Sequence, residues 1–359
     1  MDNPEDRSKT MSISVVIPSY DSASWLPSTL RALSDSISRS QWSAEVIVVN
    51  DGSSDNTVST LTELQAGYPY RLRILNQENK GRFLARWAGV NAAENEWIFI
   101  LDSRVLMNED SLDYLLKTMS LQNDNQSWNG HVLTDPMSPL VGRFWEVPTF
   151  VFWGDYLAHP RPTLITSENF DKVPKGTGCL VVRKQLYLEA CRAVWPSGNA
   201  HLVSDDTKLL RFIVDRAPIR IDPGFSATYR PRTTLKGFLA HSWTRGTLFV
   251  DSYAGTSVAR NIVLVSLVFA PPVLVGLGLV LSLLGRWQAL ALEGVAGAAG
   301  LLIPLVIASI RGCPVRAGLS YVTFIFPFGV SFWAGLTRGV IVHRRSFQNR
   351  KQSMSGAQL

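Results

Sequence analysis

The sequence predicts an α/β domain on a mostly parallel sheet flanked by helices, followed by helices that cross a membrane. Three observations carry this. Short apolar runs stop repeatedly on polar groups: Val15-Val16-Ile17-Pro18-Ser19-Tyr20, Val46-Ile47-Val48-Val49-Asn50-Asp51-Gly52-Ser53 and Trp97-Ile98-Phe99-Ile100-Leu101-Asp102-Ser103-Arg104. Stretches with helical spacing separate them. Beyond about residue 260 charge almost vanishes over three long runs. Open parallel sheets present ligands at the carboxyl ends of their strands. Acidic residues at two of those ends suit a ligand with ribose hydroxyls and a metal-bound diphosphate.

Met11–Ile17 reads as the first strand. Apolar residues at Trp25, Leu26, Leu30, Leu33 and Ile37 then recur at helical spacing, predicting a helix over Ser24–Ile37. Glu45–Val49 is the second strand. The turn Asn50–Asp55 follows, and its last residues can cap a helix from Thr57 to about Ala66. Leu72–Leu75, a helix over Gly81–Ala93 and a strand over Trp97–Leu101 complete β-α-β-α-β-α-β, the order of a parallel sheet with right-handed crossovers. A dinucleotide fold would share this order, but it requires Gly-x-Gly-x-x-Gly after the first strand. Here that loop is Pro18-Ser19-Tyr20-Asp21-Ser22, so dinucleotide binding is disfavoured.

Past Asp110 regularity falls. Asn123–Asn129 reads as a polar loop, and Lys175-Gly176-Thr177-Gly178 leads into a strand over Cys179–Val182. Trp145, Trp153 and Trp195 mark an aromatic-rich half where an acceptor subsite is expected.

Asn261–Leu284, Ala289–Ile310 and Gly318–Val342 each exceed the roughly 20 apolar residues a span requires. Core helices of soluble proteins rarely run so long without a polar face. Met1–Thr10 is polar and charged, which predicts that the residues before the spans stay in the cytoplasm. Three cysteines, Cys179, Cys191 and Cys313, lack metal-ligand spacing and agree with a reducing compartment. The net charge of +6 comes partly from Arg311, Arg316, Arg338, Arg344, Arg345, Arg350 and Lys351, which flank the spans and favour anionic headgroups. No basic stripe interleaved with aromatics occurs in the first 260 residues, so nucleic acid is not an expected partner.

Topology holds a conflict. Three spans would put the chain after Val342 outside, whereas His343-Arg344-Arg345 and Arg350-Lys351 favour the inside. Either the first run, interrupted by Pro271-Pro272, is re-entrant, or one run is not a full span.

Taken in order, these segments resemble family 2 glycosyltransferases of the GT-A fold over roughly residues 12–250. Val16-Ile17-Pro18-Ser19-Tyr20 resembles the opening strand and base-contacting loop, which gives Pro18 and Tyr20 donor contacts. Val48–Asp55 is close to the second-strand signature, and the resemblance assigns Asp51 to the nucleotide base. An aspartate in Asn-Asp-Gly-Ser is also a turn former. Asn79-Lys80-Gly81-Arg82-Phe83-Leu84-Ala85-Arg86 is similar to the helix near the diphosphate, implicating Arg82 and Arg86.

Asp102-Ser103-Arg104 departs from the family, which has Asp-x-Asp with a second carboxylate helping to hold a divalent cation. Either Asp102 alone holds Mg²⁺ or Mn²⁺ with water and a later residue, or Arg104 itself faces the phosphates, or the site has decayed. Val203-Ser204-Asp205-Asp206-Thr207-Lys208-Leu209-Leu210 resembles the segment with Glu-Asp-x-x-Leu, which makes Asp206 the acceptor's base and Asp205 its neighbour. Ser204 and the two acids equally suit a helix N-terminus, and both can hold. Leu235–Gly246 is similar to the segment carrying Gln-x-x-Arg-Trp in polymerising relatives. Trp243 and Arg245 survive on the acceptor and diphosphate side, while Leu239 and Ser242 replace the usual glutamine and arginine and argue against a long-chain synthase. The segment also suits a helix on the membrane surface. His241 is read as a late metal ligand or as a satisfied polar group.

The organisation expected is a polar tail (1–10), a cytoplasmic GT-A domain (11–230), an interfacial amphipathic segment (231–260), about three transmembrane helices (261–343) and a basic tail (344–359). The resemblance implies a multi-pass cell-membrane enzyme, an inverting glycosyltransferase. It would move a sugar from a nucleoside diphosphate-sugar to a lipid-linked or cell-envelope glycan acceptor, with Mg²⁺ or Mn²⁺ as cofactor. A polyprenyl-phosphate sugar synthase is the alternative within the enzyme class. A nucleotide-sugar-binding membrane protein without turnover is the alternative outside it.

Overall fold

The computed structural model describes residues 11–121, 125–196, 198–204 and 206–347, and these divide into two compact units. The first comprises Met1–Pro136, His159–His201 and Asp205–Pro231. Its parallel half follows the expected order: β1 (Ser12–Ser19), α1 (Leu26–Ser38), β2 (Ser43–Asp51), α2 (Thr57–Gly67), β3 (Arg71–Gln77), α3 (Arg82–Ala92) and β4 (Trp97–Leu101). β1 pairs in parallel with both β2 and β4, and β2 with β3. Val15, Ile17, Val46, Val48 and Phe99 are fully buried in one core with Leu26, Leu30 and Leu33 of α1. Strands covered on both faces read as unbroken apolar runs.

The second half of the sheet is mixed, antiparallel but for one parallel pair. β5 (Val105–Met107), α4 (Ser111–Leu121), β6 (Ser127–Thr134), β7 (Thr163–Ile165), β8 (Cys179–Arg183), α6 (Lys184–Ala193; α5, Glu146–Ala158, lies in the other unit), α7 (Thr207–Arg216) and β9 (Ile219–Tyr229) complete the unit. Among the described residues the strand order is β3-β2-β1-β4-β8-β6-β9-β5, with β7 beside β9. β8 runs antiparallel to β4, pairing Leu101 with Cys179, so the chain entering β8 meets the chain leaving β4.

The polar loop expected over 123–129 is a correction. Residues 122–124 lie outside the described residues, but Ser127–Thr134 is a strand whose Ser127, Trp128 and Asn129 are all buried. Polar side chains in mid-sheet hid it from an apolar pattern.

The second unit comprises Met137–Ala158, Leu202–Ser204 and Arg232–Leu359. Met137–Ala158, expected within the soluble domain, therefore groups with the long helices. This unit holds α5 (Glu146–Ala158), α8 (Leu235–Tyr253), α9 (Val258–Leu283), α10 (Trp287–Ile310) and α11 (Val315–Val342). α9, α10 and α11 contain 26, 24 and 28 residues. At about 1.5 Å per residue each exceeds the roughly 30 Å of a hydrocarbon core. All three are long and apolar enough to cross a membrane.

α9 is one continuous helix through Pro271 and Pro272, so the re-entrant alternative is a correction. Prolines four residues on leave the Leu267 and Val268 carbonyls without their helical donors. The Trp333 indole of α11 donates to the Val268 carbonyl at 2.9 Å and meets one of the two demands.

α8 lies directly against α11. A Cβ at Gly335 would fall 2.0 Å from the Trp243 carbonyl oxygen, so only glycine permits this approach. Thr247 donates its hydroxyl to the Gly335 carbonyl at 3.0 Å. Phe144, Phe238, Tyr321, Phe324 and Phe328 form an aromatic core beside them.

Candidate active site

The site grows from the strand ends of the first unit. α3 is pressed onto the sheet: a Cβ at Gly89 would sit 2.4 Å from Val16 Cγ1. That close seat turns Arg86, one turn earlier, into the interior, where it is 2% exposed. Arg86 Nη2 donates to Asp102 Oδ1 at 2.7 Å, and Nη1 donates to Thr177 Oγ1 at 2.6 Å. Thr177 arrives there because β8 pairs with β4; the Asp102 amide donates to the Gly178 carbonyl at 2.9 Å. Asn129 of β6 donates to the Gly176 carbonyl at 2.6 Å and steadies the same loop.

From the other side comes Asp206, the residue preceding α7. Its carboxylate makes no capping bond to its own helix. Instead Asp206 Oδ1 accepts from the Thr177 amide at 2.6 Å and from the Thr177 hydroxyl in a short bond. Asp206, not Ser204, is the residue at the cap position, and its carboxylate serves a tertiary contact rather than a cap. Asp102, Arg86, Thr177 and Asp206 form one continuous chain of hydrogen bonds. Asp102 Oδ2 and Asp206 Oδ2 carry no hydrogen bond among the described residues. Asp205 lies outside the described residues.

Asp51, at the end of β2, is 3% exposed. Its Oδ1 accepts from Gln77 Nε2 at 2.6 Å and from the Lys80 amide at 2.9 Å, and its Oδ2 accepts from the Gly81 amide at 2.9 Å. Asp51 thus staples the loop that launches α3. Pro18 is buried within β1, and Tyr20 beyond it is 50% exposed. Arg82 is exposed at the first position of α3.

Asp21 adopts φ 45°, which aspartate tolerates. Its Oδ1 accepts from the Ser54 amide at 2.8 Å, while Asp55 Oδ2 accepts from the Ala23 amide at 3.2 Å. These reciprocal bonds clasp the loops after β1 and β2.

Arg104 lies with its guanidinium 4.1 Å above the Trp25 ring and donates to the Arg230 carbonyl at 3.4 Å. Arg230 binds the Trp25 carbonyl and Thr29 of α1 and the Ser103 carbonyl, locking the segment after β4 to α1. Lys175 is partly buried, donating to the Phe170 and Val173 carbonyls; burial lowers its ammonium to about 8.

Trp243, Arg245 and His241 belong to the second unit, on α8. Trp243 is 41% exposed. His241 Nε2 accepts from Arg245 Nε at 3.4 Å, and its ring meets Trp145 edge-on. In this setting His241 is a partly buried polar ring packed beside Trp145. No group of three potential metal ligands occurs among the described residues.

Sequence reasoning missed Thr177, Asp21, Asn129 and Arg230. Lys175-Gly176-Thr177-Gly178 held the signal: two glycines around one hydroxyl mark a backbone that other groups must approach closely.

Residues 14–152 match the family model described as glycosyl transferase family 2. Over 116 residues the chain is 31% identical to the uncharacterized glycosyltransferase YibD of Escherichia coli K12, covering 32% of each chain. Over 105 residues it is 31% identical to chondroitin synthase of Pasteurella multocida Pm70, covering 29% of this chain and 10% of that one. The chain thus spans about a third or less of the length of these relatives. The structure of mannosyltransferase PcManGT from Pyrobaculum calidifontis in complex with GDP-Man and Mn²⁺ is similar in fold. Its TM-score is 0.52 at 15% identity, covering 91% of this chain and 86% of that one.

Proposed function

We propose that this chain, whose residues 14–152 match the family described as glycosyl transferase family 2, is a membrane-anchored inverting glycosyltransferase working at the cytoplasmic face. The donor is a nucleoside diphosphate-sugar and the acceptor a lipid-linked or cell-envelope glycan. The reading rests chiefly on the hydrogen-bonded chain from Asp102 to Asp206, which ties a strand-end carboxylate to an acceptor-side carboxylate in one rigid array.

In the transfer, an acceptor hydroxyl oxygen attacks the anomeric carbon, the bond to the diphosphate breaks, and the hydroxyl proton passes to Asp206 Oδ2. Asp206 Oδ1 is held by Thr177, so one oxygen orients the carboxylate while the other takes the proton. The buried Arg86 spends its two terminal nitrogens on Asp102 and Thr177. Diphosphate contact is assigned to Arg82 at the exposed N-terminus of α3, where backbone amides and a cation both favour phosphate. The base lies against Tyr20 and the loop that Asp51 staples.

A divalent ion fits with a minimal protein share, through Asp102 Oδ2, since Mg²⁺ commonly keeps its waters and takes phosphate oxygens. Bound there, it would neutralise charge on the departing diphosphate.

The test is a panel of nucleotide sugars offered to the full chain in detergent, reading nucleoside diphosphate release with and without candidate acceptors. Wild type should turn over at least one donor. Asp206→Asn should keep donor affinity and lose about 10²–10⁴ in rate. Near-wild-type turnover by Asp206→Asn would remove the base assignment. Binding of a nucleotide sugar with neither transfer nor hydrolysis would identify a sensor or scaffold instead.

A further inference from the structure

We infer that Thr177 is the positioning residue that sets the proton-accepting carboxylate and couples it to the donor-side ion pair; this rests on the transferase reading above. Thr177 is fully buried and has one hydroxyl proton to give. An ionised carboxylate only accepts, so that proton goes to Asp206 Oδ1. An arginine only donates, so Arg86 Nη1 must enter a lone pair of the same hydroxyl. Both directions are fixed by chemistry. The array runs Arg86 to Thr177 to Asp206, with Arg86 also bound to Asp102.

Two consequences follow for the carboxylate. The Thr177 amide and hydroxyl converge on Oδ1, which fixes the plane of the group and leaves Oδ2 for the acceptor. Arg86 also polarises the hydroxyl, so any shift of the Arg86–Asp102 pair as a donor enters is felt at Asp206 through a single oxygen atom. Asp206 forgoes the capping bond its place before α7 offers, and its carboxylate is spent on this contact instead. The loop that brings Thr177 is held independently by Asn129 on the Gly176 carbonyl, so the hydroxyl is presented by a rigid backbone.

The experiment compares Thr177→Val, which keeps shape and loses the hydroxyl, with Thr177→Ser, which keeps the hydroxyl and loses the methyl. Thr177→Ala substitutes for Val should Val not fold, judged by thermal midpoint. Each full-length variant is assayed for UDP and GDP affinity and for transfer from the donor that wild type uses. Thr177→Val should hold nucleotide affinity within about twofold and lose on the order of 10–100-fold in kcat, the scale of a misplaced catalytic group. Thr177→Ser should stay within about threefold of wild type.

Combined with Asp206→Asn, Thr177→Val should add almost nothing, because both act through one carboxylate. Equal losses in Ser and Val, or additive losses in the double variant, would make Thr177 a packing residue and overturn the inference. So would unchanged kcat in Val beside an active wild type, which leaves the transferase reading standing. A wild type that transfers from no donor overturns both.

Discussion

Replacing Arg86 with methionine should destabilise the first unit without unfolding it, and the size of the loss follows from the geometry. The guanidinium is 2% exposed and donates at 2.7 Å to Asp102 and at 2.6 Å to Thr177. Breaking one partner of a buried ion pair costs about 3–5 kcal/mol. The Asp102 side chain is 29% exposed, so water recovers part of its solvation once the cation is gone. That places the cost at the lower end, about 3 kcal/mol. In a unit of about 200 residues, each 1 kcal/mol moves the midpoint by ~2–4 °C, so a drop of roughly 6–12 °C is expected. Arg86→Lys keeps the charge and loses the fork, and it should recover about half of that drop. The assay is tryptophan fluorescence against temperature on the full chain in detergent, at one scan rate, beside wild type. A midpoint for Arg86→Met within about 2 °C of wild type would show that the pair holds nothing together.

Three further outcomes are expected. Wild-type transfer should stop in excess chelator and return with Mg²⁺ or Mn²⁺, with Arg104→Asp needing less metal for half-activity; full wild-type activity in chelator would refute the Asp102 site. Burial lowers Lys175 to about 8 from the ordinary 10.5, so between those pH values the unfolded chain binds the extra proton and stability rises with pH. The midpoint of wild type relative to Lys175→Met should therefore climb across that window, and a flat difference would show that the ammonium is solvated. Gly335→Ala would drive a methyl onto the Trp243 carbonyl and should cost about 1–3 kcal/mol of helix packing; an unchanged midpoint in detergent would mean that α8 and α11 can part freely.

The parallel half of the fold was legible because its strands are buried on both faces: β4 begins and ends at Trp97 and Leu101 as the apolar run does. α1 was equally plain from its buried Leu26, Leu30, Leu33 and Ile37. The mixed half was not. β6 buries Ser127, Asn129 and His131; Asn129 finds the Gly176 carbonyl in a loop 47 positions away, and no local pattern announces that. The site divides in the same way. Asp51, Asp102 and Asp206 stand at recognisable ends of elements. Thr177 matters only because β8 is laid antiparallel to β4, a pairing between residues about eighty positions apart. Arg86 was noticed as a cation near a diphosphate; its inward turn depends on Gly89 meeting Val16, a packing detail visible only in three dimensions.

The bond from Trp333 to the Val268 carbonyl has a bearing on how the chain is made. α9 is synthesised first of the three long helices and carries the paired prolines, while α11 is synthesised last and carries the indole. Until α11 is in place, the Val268 carbonyl sits in an apolar surrounding with no donor, a costly state. The first long helix therefore has one of its two proline-freed carbonyls met only when the last is in place. A chain that stops after α10 leaves the Val268 carbonyl of its first long helix without this donor.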